Sequence, residues 1–106
     1  MDANRDADRW GALADGTRLA IVARLSDGPQ AVGQLAAGLP VSRSAVSQHL
    51  KILKDAGLVE DTVAGTRRIY RLNPAALAAL RDQLDTYWQR ALAGYVDAAE
   101  APTKED

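Results

Sequence analysis

The segment from Val32 to Gly57 leaves the fold little freedom, because it holds two helical patterns joined by a connection too short to let them part. Val32, Leu35 and Ala36 mark the inner side of a brief helix over 32–37. Gly38 is placed to close it in the left-handed conformation that glycine adopts most readily. Leu39-Pro40-Val41 makes a tight connection, and Ser42 stands where a side-chain oxygen caps a new helix running from Arg43 to about Ala56 and ending at Gly57. Two helices so joined form a helix-turn-helix unit.

The remaining chain reads as elements that enclose this unit. Ala7, Trp10, Leu13 and Ala14 recur at helical spacing and predict a first short helix over 6–14 anchored by Trp10. Asp15 is placed to cap a second helix, with Leu19, Ile21, Val22 and Leu25 as its apolar stripe, stopped by Ser26-Asp27-Gly28-Pro29. Beyond Gly57, two β-forming runs, 58–63 and 67–72, flank Ala64-Gly65-Thr66 and predict a hairpin in which Gly65 supplies a positive φ. Asn73-Pro74 then opens a long helix reaching to about Ala99. One domain over 1–106 is expected, with tails at about 1–5 and 100–106.

At 100° per residue the helix that begins at Arg43 has two faces. Val46, Leu50 and Leu53 fall within 60° of one another, with His49 beside them as a packed, hydrogen-bonded histidine. Ser44, Gln48, Lys51 and Asp55 lie opposite, flanked by Ser47 and preceded by Arg43. The aliphatic face has to pack inward, so the other presents amide, hydroxyl and cationic groups. That set matches the donors and acceptors of base edges in the DNA major groove, with Asp55 farther along where the helix leaves the groove. Arg67 and Arg68 beside the glycine turn suit phosphates or a narrow minor groove. Strand alternation sends these two arginines to opposite sides, and the sequence leaves open which one faces outward. Arg18 is a further candidate for contact with the backbone of a nucleic acid.

Charge supports this placement once it is resolved along the chain. The formal net charge is −1, yet residues 41–71 hold six basic and three acidic side chains, a local +3 between two acidic thirds. Attraction to phosphate acts over about 10 Å at moderate salt, so clustering outweighs the total. There is no cysteine and one histidine, which excludes disulfides, thiolate metal sites and thiol nucleophiles. With no glycine-rich phosphate loop either, no enzyme activity and no cofactor are expected. No run of about 18 apolar residues and no signal-peptide pattern is present, which predicts a cytoplasmic protein without membrane contact.

Three runs carry a family resemblance. Leu13 to Arg18 (LADGTR), Val46 to Val59 (VSQHLKILKDAGLV) and Gly65 to Leu72 (GTRRIYRL) resemble the ArsR/SmtB family of dimeric winged-helix repressors over about residues 9–92. The resemblance implies a mainly α winged helix-turn-helix with a β-hairpin wing, in the order α-α-α-α-β-β-α. It also implies recognition by the helix from Arg43, wing contacts from Arg67 and Arg68, and a dimer built from the first and last helices. Gly16 stands where the family usually has proline. The family's metal-sensing sets, cysteines or Asp, His and Glu groups, find no counterpart residue by residue, so the chain is placed with the branch lacking a metal sensor. Asp82, Asp85, Asp97 and Glu100 on the last helix lack the histidine and the spacing of such a set.

On the last helix, Leu77, Leu80, Leu84, Tyr87, Trp88 and Leu92 form an apolar stripe too wide for one neighbour. Trp10 and Leu13 of the first helix are its expected companions in a homodimer interface. A two-fold dimer would set two recognition helices about 34 Å apart on a pseudo-palindromic operator in double-stranded DNA. The rival reading is a protein-interaction module on the same scaffold that does not touch DNA. Trp88 and Tyr95 are read as packing rather than as the lining of a ligand pocket, and no small-molecule effector is assigned.

Overall fold

The computed structural model describes residues 3–100, with side chains from 7 to 99. In chain order the elements are α1 (Ala3–Ala12), α2 (Gly16–Leu25), β1 (Gln30–Ala31), α3 (Val32–Ala37), α4 (Arg43–Asp55), β2 (Val59–Ala64), β3 (Arg67–Leu72) and α5 (Pro74–Glu100). This is a winged helix-turn-helix. No helix among the described residues is long and apolar enough to cross a membrane.

Local chemistry fixes the ends of α4 as the sequence predicts. The Ser42 hydroxyl accepts from the Ala45 N–H at 3.1 Å, satisfying a donor the helix cannot. At the other end Gly57 takes φ 82°, the Leu58 N–H donates to the Leu53 carbonyl, and the Gly57 N–H donates to the Lys54 carbonyl. That paired closure needs the left-handed residue that glycine supplies without strain. Gly38 is different. It ends α3 at φ −102°, outside the left-handed region, and the Arg24 guanidinium instead lies in the space a β-carbon there would fill.

Leu50, Leu53 and Val46 are fully buried, together with Ile21 of α2, Leu35 of α3, and Leu58 and Val59 leading into β2. On α2 the buried pair is Ile21 and Leu25, four residues apart, whereas Leu19 is 54% exposed. Leu19 therefore leaves the expected inward stripe, because it sits 200° around the helix from Ile21. The first helix begins at Ala3, inside the stretch expected to be a tail, and ends at Ala12 rather than Ala14. Residues 101–106 of the other expected tail lie outside the described residues.

The hairpin pairs Ala64 with Arg67 across a two-residue Gly65-Thr66 turn, with Gly65 at φ 65°. A third strand, β1, pairs Gln30 with Tyr70 and Ala31 with Ile69, giving the order β1-β3-β2. Two residues carry no periodicity, so this strand was invisible to pattern reading.

Helix α5 has two parts with different fates. Ala76 and Leu80 are buried in the chain's own core and Leu77 packs against it, while Leu84, Tyr87, Trp88, Leu92, Tyr95 and Val96 are all exposed. Leu80 is thus corrected from interface to core. Trp88 and Tyr95, at 60% and 75% exposed, are not packed within the chain. Trp10 reaches α5 through its indole N–H, which donates to the Gln83 side-chain oxygen.

Asn73 joins the hairpin, α4 and α5. Its Oδ1 accepts from the Ala75 N–H at 3.0 Å, its Nδ2 donates to the Gly57 carbonyl at 3.1 Å, and its backbone N–H donates to the Leu58 carbonyl at 2.9 Å. Asn73→Ala should cost about 1–2 kcal/mol, since a cap and a buried-end hydrogen bond vanish together. Asn73→Ser, which keeps only the cap, should recover about half of that. Urea denaturation at fixed protein concentration measures both.

Candidate nucleic-acid interface

The packing of Val46, Leu50 and Leu53 turns the opposite side of α4 outward, and Arg43, Ser44, Ser47, Gln48 and Lys51 are all exposed there. All five predicted residues of this helix are accessible, with Ser44, Ser47, Gln48 and Lys51 turned away from the core and Arg43 at the edge nearest α3. The Ser44 hydroxyl lies 3.2 Å from that of Ser42. Lys51 donates to Asp55 at 3.0 Å, an exposed ion pair one helical turn apart and therefore worth little against a phosphate. Sequence reading placed both residues on the same side but did not register the pair, although i,i+4 spacing signals it.

Arg43 folds back toward α3. A β-carbon built on Gly33 would stand 3.5 Å from Arg43 Nη1, so the guanidinium lies across the helix at its thinnest point. A cleft runs from there to the wing turn, lined by Gly33, Gln34, Arg43, Thr66, Arg67 and Arg68. Among the described residues, neither Arg43 nor Arg67 has a hydrogen-bond or ion-pair partner.

Arg68 is engaged elsewhere. Its Nη1 donates to Asp61 Oδ2 at 2.5 Å, and Lys54 Nζ lies 2.8 Å from Asp61 Oδ1. Asp61 pairs across the hairpin with Tyr70, so it stands on the same sheet face as Arg68, and its side chain is only 4% exposed. The hydrogen bond from Lys54, and next that from Arg68, hold its carboxyl below the usual aspartate value against the opposing effect of burial, and Arg68 is raised in turn. Asp61 and Lys54 were missed by sequence reasoning. The available signal was alternation, which puts Asp61 on the side of buried Val59, where a carboxylate requires partners. On the other face Arg71 pairs with Glu60 at 3.2 Å.

Two further predicted residues meet behind α4. Arg18 Nε donates to the Ala12 carbonyl at 2.7 Å, and its Nη1 lies 3.3 Å from His49 Nδ1. An arginine only donates, so His49 accepts through Nδ1 in this arrangement. Asp15 caps α2 by accepting from the Arg18 N–H at 3.0 Å, which is the main cause of its lowered pKa, and it lies 3.9 Å from His49. His49 is the packed histidine expected from sequence. Arg18, half-buried and tied to two internal acceptors, joins helices rather than offering its charge outward.

Comparison with known proteins bears on this geometry directly. The model of the bacterial regulatory proteins of the arsR family matches residues 15–61. The HTH-type transcriptional regulator Rv2034 of Mycobacterium tuberculosis is 62% identical over 102 residues, covering 95% of each chain. The chain belongs to the ArsR family. It is a helix-turn-helix DNA-binding transcriptional regulator. Among solved structures, the ArsR-like transcriptional regulator from Rhodococcus sp. RHA1 superposes with a TM-score of 0.74 at 35% identity, covering 92% of this chain and 95% of that one. The homodimeric winged helix-turn-helix DNA-binding domain Mb0332 from Mycobacterium bovis gives 0.65 at 29% identity, over 94% and 89%.

In this ArsR-family regulator the depressed pKa of Asp61 has a defined consequence. A carboxylate whose folded value lies below its unfolded one contributes stability that is complete above the ordinary value of 3.8 and is lost as pH falls through the folded value. Asp61→Asn should therefore be less stable than wild type by about 1–2 kcal/mol at neutral pH. The gap should narrow as pH falls below about 3.8 and close once it has passed through the lowered folded value. Denaturant unfolding on a series descending from neutral pH checks it; a gap that does not narrow would assign the loss to packing rather than charge.

Proposed function

We propose that two copies of this regulator join along the exposed stripe of α5 and insert their α4 helices into successive major grooves of a pseudo-palindromic operator, repressing the adjacent gene by occluding its promoter. The observation that carries the DNA contact is the accessible side of α4, with Ser44, Ser47, Gln48 and Lys51 outward, Arg43 exposed at its edge and the aliphatic side locked in the core. Gln48 has the forked geometry that reads adenine, and Arg43, Ser44, Ser47 and Lys51 hold register on bases and phosphates. This use keeps the protein in the cytoplasm, with no catalytic role and no bound cofactor.

The dimer reading rests on α5. Leu84, Tyr87, Trp88 and Leu92 expose apolar side chains along one run of a helix that projects beyond the core, and the chain extends 69 Å in its longest direction. A chain of this length packed alone would have a radius of gyration near 13 Å. The observed 18.8 Å shows how much of it lies away from its own core. A second copy covers such a surface, and the homodimeric Mycobacterium bovis domain of the same fold supports that choice. Trp10 and Leu13 flank the base of the stripe, half-buried against the core.

In mobility-shift titrations against the protein's own upstream DNA, Gln48→Ala should weaken operator binding by about 1–3 kcal/mol and relax discrimination at one base position per half-site. Equal binding of operator and scrambled duplex by wild type would favour the protein-interaction reading. Separately, Trp88→Glu should place a charge in the dimer seam and weaken self-association at least ten-fold, by light scattering, with operator binding lost in parallel. A Trp88→Glu protein that stays dimeric would place the seam elsewhere.

A further inference from the structure

We propose that the two wing arginines do different work: Arg67 binds a backbone phosphate with Arg43 across the cleft over Gly33, whereas Arg68 is a positioning residue that Asp61 holds as a brace between wing and recognition helix. The inference rests on the DNA-binding reading and assigns roles within it.

Register separates the two side chains. Arg67 pairs with Ala64 and Arg68 with Val63, so they leave β3 on opposite faces. Arg68 shares its face with Asp61, two positions along the partner strand, within reach of a long side chain. There the guanidinium meets a carboxylate only 4% exposed, whose other oxygen takes Lys54 from the last turn of α4. Moving Arg68 to a phosphate would leave that carboxylate with one partner in a site largely closed to water, an unfavourable exchange. Arg67 gives up nothing comparable, being exposed and unpartnered among the described residues. Its neighbour across the cleft, Arg43, is likewise unpartnered, and two guanidinium groups converging on one groove repel each other until an anion lies between them.

Salt dependence distinguishes a phosphate contact from a brace, because each released counterion contributes to the slope while a structural pair does not. Operator affinity of the full chain is measured by fluorescence anisotropy across a salt series, with Tm recorded for every variant. Arg67→Ala should lower the slope of log affinity against log salt by about one per protomer, two for a dimer, at unchanged Tm. Arg68→Ala should leave the slope at the wild-type value and lower Tm by about 4–8 °C. Arg68→Lys, which keeps a charge on Asp61, should recover most of that loss, and Arg68→Ala made in an Asp61→Asn background should cost nothing further.

A slope that falls in Arg68→Ala as it does in Arg67→Ala, or one that Arg67→Ala leaves untouched, would overturn the division of roles while DNA binding stands. Wild-type protein that binds no duplex, or binds with no salt dependence, would overturn the DNA reading and this inference with it.

Discussion

The burial of one face of α4 is the constraint from which the rest of the molecule follows. Val46, Leu50 and Leu53 occupy three positions of a single stripe and are each sealed from solvent by α2, α3 and the approach to β2. A helix has one rotation about its axis to choose, and this packing takes it. The polar residues on the far side are then directed outward by this packing rather than by contacts of their own. The outward face needs no internal stabilisation, which is why it can consist of groups suited to a ligand rather than to the fold.

The two ends of that helix are fixed by different chemistry, with different consequences for the wing. At the N-terminus Ser42 caps and Arg43 lies back across Gly33, so α3 and α4 meet where a side chain is absent. At the C-terminus the Gly57 closure sends the chain into β2, and the Lys54 and Arg68 bonds to Asp61 tie helix to hairpin. Both arms of a clamp, helix and wing, are thereby set by contacts within about twenty residues of sequence. The outer half of α5, from Leu84 onward, leaves its large apolar side chains exposed, and the dimer proposed above would cover them.

What sequence made legible was whatever repeats or terminates. The α4 faces, the Gly57 and Gly65 turns, the Asn73-Pro74 helix start and the apolar run on α5 all follow from periodicity or from a residue with a special backbone preference. What it concealed depended on neighbours. Leu19 fitted a stripe as well as Ile21 did, and only packing chose between them. Gly38 suggested a left-handed cap, whereas its use is to leave room beside Arg24. Leu80 belonged equally well to the core and to an interface until α5 was docked. Asp61 looked like one more charge on a strand, because the two cations that meet it come from elements whose register no single-chain pattern specifies.

The same pairing changes what the local charge means. Of the six basic side chains in residues 41–71, Lys51, Lys54, Arg68 and Arg71 face Asp55, Asp61 and Glu60, the three acidic residues of that segment. A net +3 spread evenly would act as a diffuse attractor for any polyanion. Distributed as observed, two of the three excess charges sit at Arg43 and Arg67 on the cleft and the third is shared by Lys54 and Arg68 around Asp61, while the paired groups tie helix to hairpin. In the binding mode proposed above, fewer uncommitted cations would mean a weaker sequence-independent attraction and leave a larger share of binding to the base edges within reach of Gln48 and its neighbours. For a chain of slightly negative net charge, selectivity would then come from geometry, which the proposed brace at Asp61 would keep fixed.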